Sequence, residues 1–179
     1  MPCDTRRVPT LRYDADDHLP DRTLLVAAAY VVLRRREAGR DEVLLQLRQG
    51  TGYRDGHWAT LAGHVEVGES VHEAAVREAA EEAGIVVRPE DLHALVALHR
   101  FERGGPSVEQ RVDVFFEVTV WSGTPALREA ERAAAMGWFP LDALPEPVVP
   151  HELLVLDALA RGETLPAVIS LPGPDGSRH

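Results

Sequence analysis

The stretch from Ser70 to Gly84 constrains the fold more than any other part of the chain, because it specifies where a helix begins and ends. Ser70 and Glu73 have the spacing of a capping box, in which each side chain accepts a backbone N–H at the helix start. Gly84 follows a run of strong helix formers and suits the left-handed conformation that commonly ends helices. The sequence therefore predicts a helix over residues 71–83.

The predicted helix carries an acidic stripe beside an apolar one. Apolar side chains at helical spacing should pack on the rest of the protein: Ala75, Val76, Ala79 and Ala83. Glu78, Glu81 and Glu82 are spaced i, i+3 and i+4, so their carboxylates share the adjoining face. Like charges at this spacing destabilise a helix unless they are neutralised, and Mg2+ or Mn2+ binds carboxylate oxygens well. The stripe indicates a divalent metal site or, alternatively, a solvated acidic face paired with Arg77.

Apolar runs on both sides of this helix predict strands. Strands are expected over five segments: 24–33, 43–47, 92–101, 112–120 and 136–140. A short segment at 59–61 leads into Gly63. A second helix is expected over 150–160. Strands before, between and after two helices predict an α/β fold in which a mixed sheet lies between helices. We divide the chain into an arm at 1–22, one domain at 23–165 and a C-terminal tail at 166–179.

The charge balance limits the partners of this chain. The net charge is −10 and the pI is near 5.2, although all 19 basic residues are arginine. Such a protein repels nucleic-acid polymers and anionic membranes, so we expect neither as a partner. A small phosphorylated ligand is compatible with this charge when cations screen the contact. The single cysteine, Cys3, and an N-terminus without an apolar signal core predict a cytoplasmic protein.

The acidic stripe lies inside a longer motif of matched residues. The motif positions are filled by Gly63, Glu69, Arg77, Glu78, Ala79, Glu81, Glu82, Gly84 and Ile85. This pattern resembles the Nudix box of the Nudix hydrolase family, and a chance match at nine positions is very improbable. Ala62 stands where the family usually carries proline. The resemblance implies the Nudix fold, with a mixed sheet between helices, and metal-dependent cleavage of a phosphoanhydride bond.

The resemblance also implies roles for individual residues. The expected ligands of Mg2+ or Mn2+ are the Gly63 carbonyl and three carboxylates: Glu78, Glu81 and Glu82. Arg77 would orient Glu69 or Glu78 through a charge-assisted hydrogen bond. Glu129 resembles the additional acidic loop residue that some members use as a metal ligand or base. The alternative for Glu129 is a solvated loop side chain.

Substrate contacts are expected from residues outside the motif. Arg48 and Arg100 lie at predicted strand ends and are suited to hold phosphate, although surface arginines are an equal alternative. Tyr53 and Trp58 are suited to stack on a base, with packing in the core or at its rim as the alternative. His64 follows Gly63 and either reaches the site or serves only the turn.

The substrate expectation rests on residues 121–145, which partly resemble the family's nucleotide triphosphate diphosphatases. We expect a small nucleotide-like substrate, favouring a nucleoside triphosphate, a damaged one included, that yields a monophosphate and pyrophosphate. The alternatives are hydrolysis of ADP-ribose or a nucleotide sugar, and a Nudix-fold sensor that binds a nucleotide without cutting it. A homodimer is left open.

Overall fold

The computed structural model describes residues 23–103, 105 and 109–173. These residues contain two α-helices, one short 3-10 helix and eight strands. The strands are β1 Val26–Glu37, β2 Arg40–Arg48, β3 Trp58–Ala59, β4 Leu61–His64, β5 His93–Phe101, β6 Arg111–Val118, β7 Ala133–Pro140 and β8 Val168–Pro172. The helices are α1 Val71–Ala83 and α2 Pro150–Ala160, and Pro89–Asp91 forms the 3-10 helix.

Strand β1 connects the two halves of a mixed sheet. Its first part pairs antiparallel with β4 and parallel with β6, and β6 continues to β5 and β8. Its last part, Arg34 to Glu37, pairs antiparallel with β2, which also carries β3 and β7. The expected mixed sheet is confirmed. Because β1 changes partners along its length, the two halves diverge and leave space between them.

The core lies on both faces of the sheet, with one helix against each. On the first face, the alanine stripe of α1 packs against strand residues such as Leu33 and Phe116. On the second face, Val155 and Leu156 of α2 pack against Phe115. Phe115 and Phe116 are neighbours on β6 and point to opposite faces, as strand geometry requires. Neither α-helix in the described residues is long and apolar enough to cross a membrane.

Helix α1 begins and ends where the sequence predicts. The Ser70 side chain accepts from the Glu73 backbone N–H at 3.3 Å, and the Glu73 carboxylate accepts from the Ser70 N–H at 2.7 Å. Gly84 adopts the left-handed conformation with φ of 68°, and its N–H contacts the last free carbonyls of the helix. Each signal is local in sequence, which explains why the helix bounds were predictable.

The C-terminal part of the chain differs from the prediction. Val168–Pro172 forms β8, which pairs parallel with β5, so the predicted tail at 166–179 is wrong for these residues. Ile169 and Leu171 pack against the α2 side of the core, and this burial favours the added strand. The predicted arm at 1–22 and the last residues, 174–179, lie outside the described residues.

We expect Ser70→Ala to lower the free energy of unfolding by about 1 kcal/mol, because it removes the acceptor that caps α1. Urea denaturation of the variant and the wild type measures the difference. Ser70→Thr keeps an acceptor at the same position and serves as the matched control. Equal loss in both variants would show that the cap itself contributes little.

Candidate active site

A cleft of about 730 Å³ lies where the halves of the sheet diverge, and both helices contribute to it. One wall is acidic and is formed by β4, α1 and the loop before β7. The opposite wall carries arginine side chains from the ends of β2, β5 and β6. The floor contains Tyr30 of β1 and Glu152 of α2. The arrangement places opposite charges across a space that suits a small molecule.

The Arg77 guanidinium organises the acidic wall. It donates to Glu69 through two nitrogens, at 2.8 and 3.2 Å, and to the His64 carbonyl at 3.0 Å. It also donates to Glu78 at 2.6 Å and to Glu81 at 2.9 Å. These bonds hold the pKa of Glu69 below its usual range and raise that of Arg77. Arg77 therefore contacts both residues that the sequence offered as alternatives, Glu69 and Glu78.

Glu78 and Glu82 lie on the buried side of the stripe. The Glu78 carboxylate lies against the Gly63 backbone so closely that a Cβ at Gly63 would overlap it. Glu82 is 7% exposed and accepts from the Ala62 N–H at 2.9 Å. Burial, together with the charge of Glu78, raises the pKa of Glu82 to about 8. The ionised form of Glu82 therefore needs a nearby positive charge that the surrounding protein supplies only weakly.

The basic wall brings together three of the predicted substrate-binding residues. Arg48 donates to the Tyr53 carbonyl and to the Thr51 hydroxyl, both at 3.0 Å. The Tyr53 hydroxyl lies 3.4 Å from an Arg100 nitrogen, and all three side chains line the cleft. Arg100 pairs with the wholly buried carboxylate of Asp113.

The floor of the cleft contains buried polar groups. Glu152 is 2% exposed, and one of its oxygens accepts from the Thr60 N–H at 2.6 Å and from the Thr60 hydroxyl at 2.9 Å. Burial raises the pKa of Glu152 to about 7. His151 lies 3.1 Å from the Tyr30 hydroxyl, and burial lowers its pKa to about 3. The imidazole is therefore neutral when it shares this hydrogen bond with Tyr30.

Comparison with known proteins identifies the family to which this chain belongs. The model of the NUDIX domain matches residues 24–159. The chain belongs to the NUDIX family. The match includes both walls and both helices of the structure, so it extends well beyond the short motif from Gly63 to Ile85.

Individual NUDIX proteins share sequence and fold with this chain. Human 8-oxo-dGDP phosphatase NUDT18 is 35% identical over 131 residues, which are 73% of this chain and 38% of that protein. The matched region thus spans about two fifths of this curated relative. The MutT NUDIX hydrolase of Burkholderia pseudomallei has a TM-score of 0.64 at 27% identity, covering 75% of this chain and 97% of its own. The NUDIX domain of Shewanella oneidensis NrtR, solved with ADP ribose, shares the fold at a TM-score of 0.65, with 18% identity over 84% of this chain and 93% of its own.

The NUDIX carboxylates fit a divalent metal by their chemistry. The predicted ligands are the Gly63 carbonyl and the carboxylates of Glu78, Glu81 and Glu82, all oxygen donors of the kind that Mg2+ and Mn2+ prefer. Within the described ranges, no three His, Cys, Asp or Glu side chains already form a ligand group. Arg77 contacts the Glu78 and Glu81 carboxylates.

Two other predicted site residues differ in their placement. Glu129 lines the cleft on the acidic wall, with Arg132 at 3.8 Å. Trp58 is not among the residues that line it, and its contact with a substrate base stays a prediction. Its ring packs edge-on against Phe139 with centroids 4.7 Å apart, which is the core packing offered as the alternative. Trp58 lies on β3, which is held between β2 and Val148.

Among the residues of the cleft region that the sequence prediction missed are Arg111, Asp113 and Glu152. Asp113 had a recognisable signal, since it alternates onto the same face of β6 as Phe115 and an acidic residue there must be paired. Glu152 also had a signal, since it is an acidic residue in the largely apolar helix α2. Arg111 gave no signal in the sequence, because its contact with His64 joins strands that are distant along the chain.

We expect Gly63→Ala to lower the affinity for Mn2+ by about 10- to 100-fold, because the new methyl group displaces the Glu78 carboxylate. Isothermal titration with Mn2+ measures the change. Gly137→Ala is the matched control, since a Cβ there meets only the Phe139 ring, at 3.4 Å. Unchanged Mn2+ affinity in Gly63→Ala would contradict the assigned contact.

We expect Glu152→Gln to become more stable relative to the wild type as the pH rises from about 4.5 to 7. The folded-state pKa of Glu152 is raised, so the protonated carboxyl is favourable at acid pH and its ionisation penalises the native state. Glutamine keeps the acceptor for Thr60 and cannot ionise. Melting temperatures across this range measure the difference, with Glu37→Gln at the exposed hairpin tip as control. Parallel curves for Glu152→Gln and the wild type would refute the ionisation of a buried Glu152.

Proposed function

We propose that this NUDIX protein hydrolyses a phosphoanhydride bond of a nucleoside triphosphate, oxidised purine forms included, to a nucleoside monophosphate and pyrophosphate. The observation that carries the proposal is the cleft itself, in which an acidic wall faces an arginine wall. The name of the human relative, an 8-oxo-dGDP phosphatase, supports an oxidised guanine nucleotide as one substrate. A nucleoside diphosphate would give the same monophosphate with phosphate as the other product.

The two walls divide the recognition of such a molecule between them. Arg48 and Arg100 present guanidinium groups that match phosphate geometry, and Tyr53 provides an aromatic surface beside them. The acidic wall would repel the same phosphates unless cations lie between them. The proposal therefore requires a bound metal ion, held by the Gly63 carbonyl, Glu78, Glu81 and Glu82.

Bound Mg2+ or Mn2+ would supply charge stabilisation at phosphate oxygens and would lower the pKa of an attacking water. In the reaction, a P–O bond forms to the water oxygen while the bridging P–O bond breaks, and its electron pair leaves with pyrophosphate. We assign acceptance of the water proton to the Glu129 carboxylate. The motivation is that Glu129 lines the cleft without an Arg77 contact, whereas Arg77 lowers the pKa of Glu69 and so makes it a weaker base. Glu69 and Arg77 are positioning residues.

The test is a panel of nucleotides with Mg2+ and then Mn2+, with products separated by chromatography. Guanosine and 8-oxoguanosine di- and triphosphates, in ribo and deoxy forms, are compared with ADP-ribose and a nucleotide sugar. We expect the highest kcat/KM with a triphosphate and complete loss of turnover with excess chelator. A tenfold preference for ADP-ribose or a nucleotide sugar would overturn the substrate class. Tight nucleotide binding without turnover would instead support a sensor.

We expect Glu82→Gln to keep the fold and to lower kcat by at least about 100-fold, because it removes one oxygen ligand of the metal. Glutamine preserves the acceptor for the Ala62 N–H, so the melting temperature should not fall. Glu90→Gln, on the exposed 3-10 helix, removes one carboxylate far from the cleft and is the matched control. A fully active Glu82→Gln would exclude Glu82 from the metal site.

A further inference from the structure

Two arginines at the edge of the cleft form ion pairs with the buried carboxylate of Asp113. Asp113 is wholly buried on β6, and one of its oxygens accepts from Arg100 Nε. Its other oxygen lies 3.6 Å from Arg111 Nε, and neither of these two buried atoms has a hydrogen-bond partner among the described residues. Arg100 is thus hydrogen-bonded through its Nε, and the Arg111 guanidinium forms an ion pair with the same carboxylate. Two cations on one carboxylate leave a positive charge in excess.

The outer nitrogens of these arginines are directed along the cleft rather than toward Asp113. Arg111 lies 2.8 Å from the His64 ring, and Arg100 lies 3.4 Å from the Tyr53 hydroxyl. These outer partners are a hydroxyl and an imidazole, so they add no negative charge against the two guanidiniums. Glu109 and Glu152 are the other acidic groups on this side of the cleft, and Glu152 is already bonded to Thr60.

We propose that Arg100 and Arg111 form an anion subsite that binds a phosphate additional to the two that flank the scissile bond, with Asp113 as the positioning residue. The inference rests on the proposed function and deepens it. His64 follows Gly63 directly, so Arg111 reaches the border of the acidic wall. The extra phosphate is therefore close to the cleaved diphosphate. Its two chemical sources are the terminal phosphate of a triphosphate and a phosphate on the ribose.

Calorimetric binding of non-hydrolysable nucleotides tests the subsite without requiring turnover. The reference ligand is α,β-methylene GDP, and the two test ligands are α,β-methylene GTP and the 3′-phosphorylated form of the reference. We expect the wild type to bind one test ligand more tightly than the reference. Arg111→Gln should lower the affinity for that ligand by about 10- to 100-fold and the affinity for the reference by less than about threefold. The test ligand that loses affinity identifies the source of the phosphate.

Asp113→Asn tests positioning, since it keeps the size of the side chain and removes the charge that holds both guanidiniums. We expect KM for the preferred substrate to rise by about 10-fold or more with kcat changed little, because binding is lost equally in the ground and transition states. Arg88→Gln removes an exposed arginine outside the cleft and should leave the affinities for the reference and test ligands unchanged. Melting curves show whether each variant folds. If Arg111→Gln does not fold, Arg111→Lys replaces it, and we expect a smaller loss of affinity for the same test ligand.

Two outcomes overturn the subsite. One is a wild type that gains nothing from either additional phosphate, and the other is an Arg111 variant that weakens the reference and test ligands equally. These outcomes are distinct from failure of the proposed function. A protein that shows the phosphate-dependent binding but no turnover would keep the subsite and refute the hydrolase.

Discussion

The Arg77 guanidinium is the interaction on which the arrangement of the site depends. The α1 helix places three carboxylates on one face, and two of them are buried at the edge of the core. One cation that contacts Glu69, Glu78 and Glu81 together allows this concentration of negative charge in the folded chain. Its further bond to the His64 carbonyl joins α1 to β4. The same contact therefore stabilises the helix against its own charge and sets the distance between the two elements of the acidic wall.

The fold and the proposed chemistry share the same helix, which limits how either can change. The alanine face of α1 fills the core, so the helix cannot rotate without exposing it. The carboxylate face is then aimed at the cleft, and Gly63 supplies the room that Glu78 occupies. A rigid element that positions several ligands from one face is well suited to a metal site, since each ligand is held by packing as well as by its own bonds.

Local signals account for what the sequence predicted well. The capping residues Ser70 and Gly84 and the spacing of the glutamates act within one helix, so the bounds of α1 and the acidic face were readable without knowledge of the fold. Strand β8 was not, because a short segment after a proline becomes a strand only when β5 is beside it. Trp58 was ambiguous for a related reason. An aromatic residue in a loop-rich segment does not reveal whether its ring meets a ligand or, as here, Phe139.

The arginine wall shows where long-range structure adds information that residue patterns lack. Arg100 and Arg111 lie on adjacent strands and face each other directly in the antiparallel register, which brings both to Asp113. An isolated arginine at a strand end is indistinguishable from a solvated surface residue. A pair fixed on one buried carboxylate differs, because burying an acidic group is unfavourable unless its partners stay in place. The desolvation of Asp113 therefore restricts both guanidiniums to the cleft edge. The NUDIX motif supplies the acidic wall, whereas Arg100 and Arg111 of the basic wall lie outside that motif.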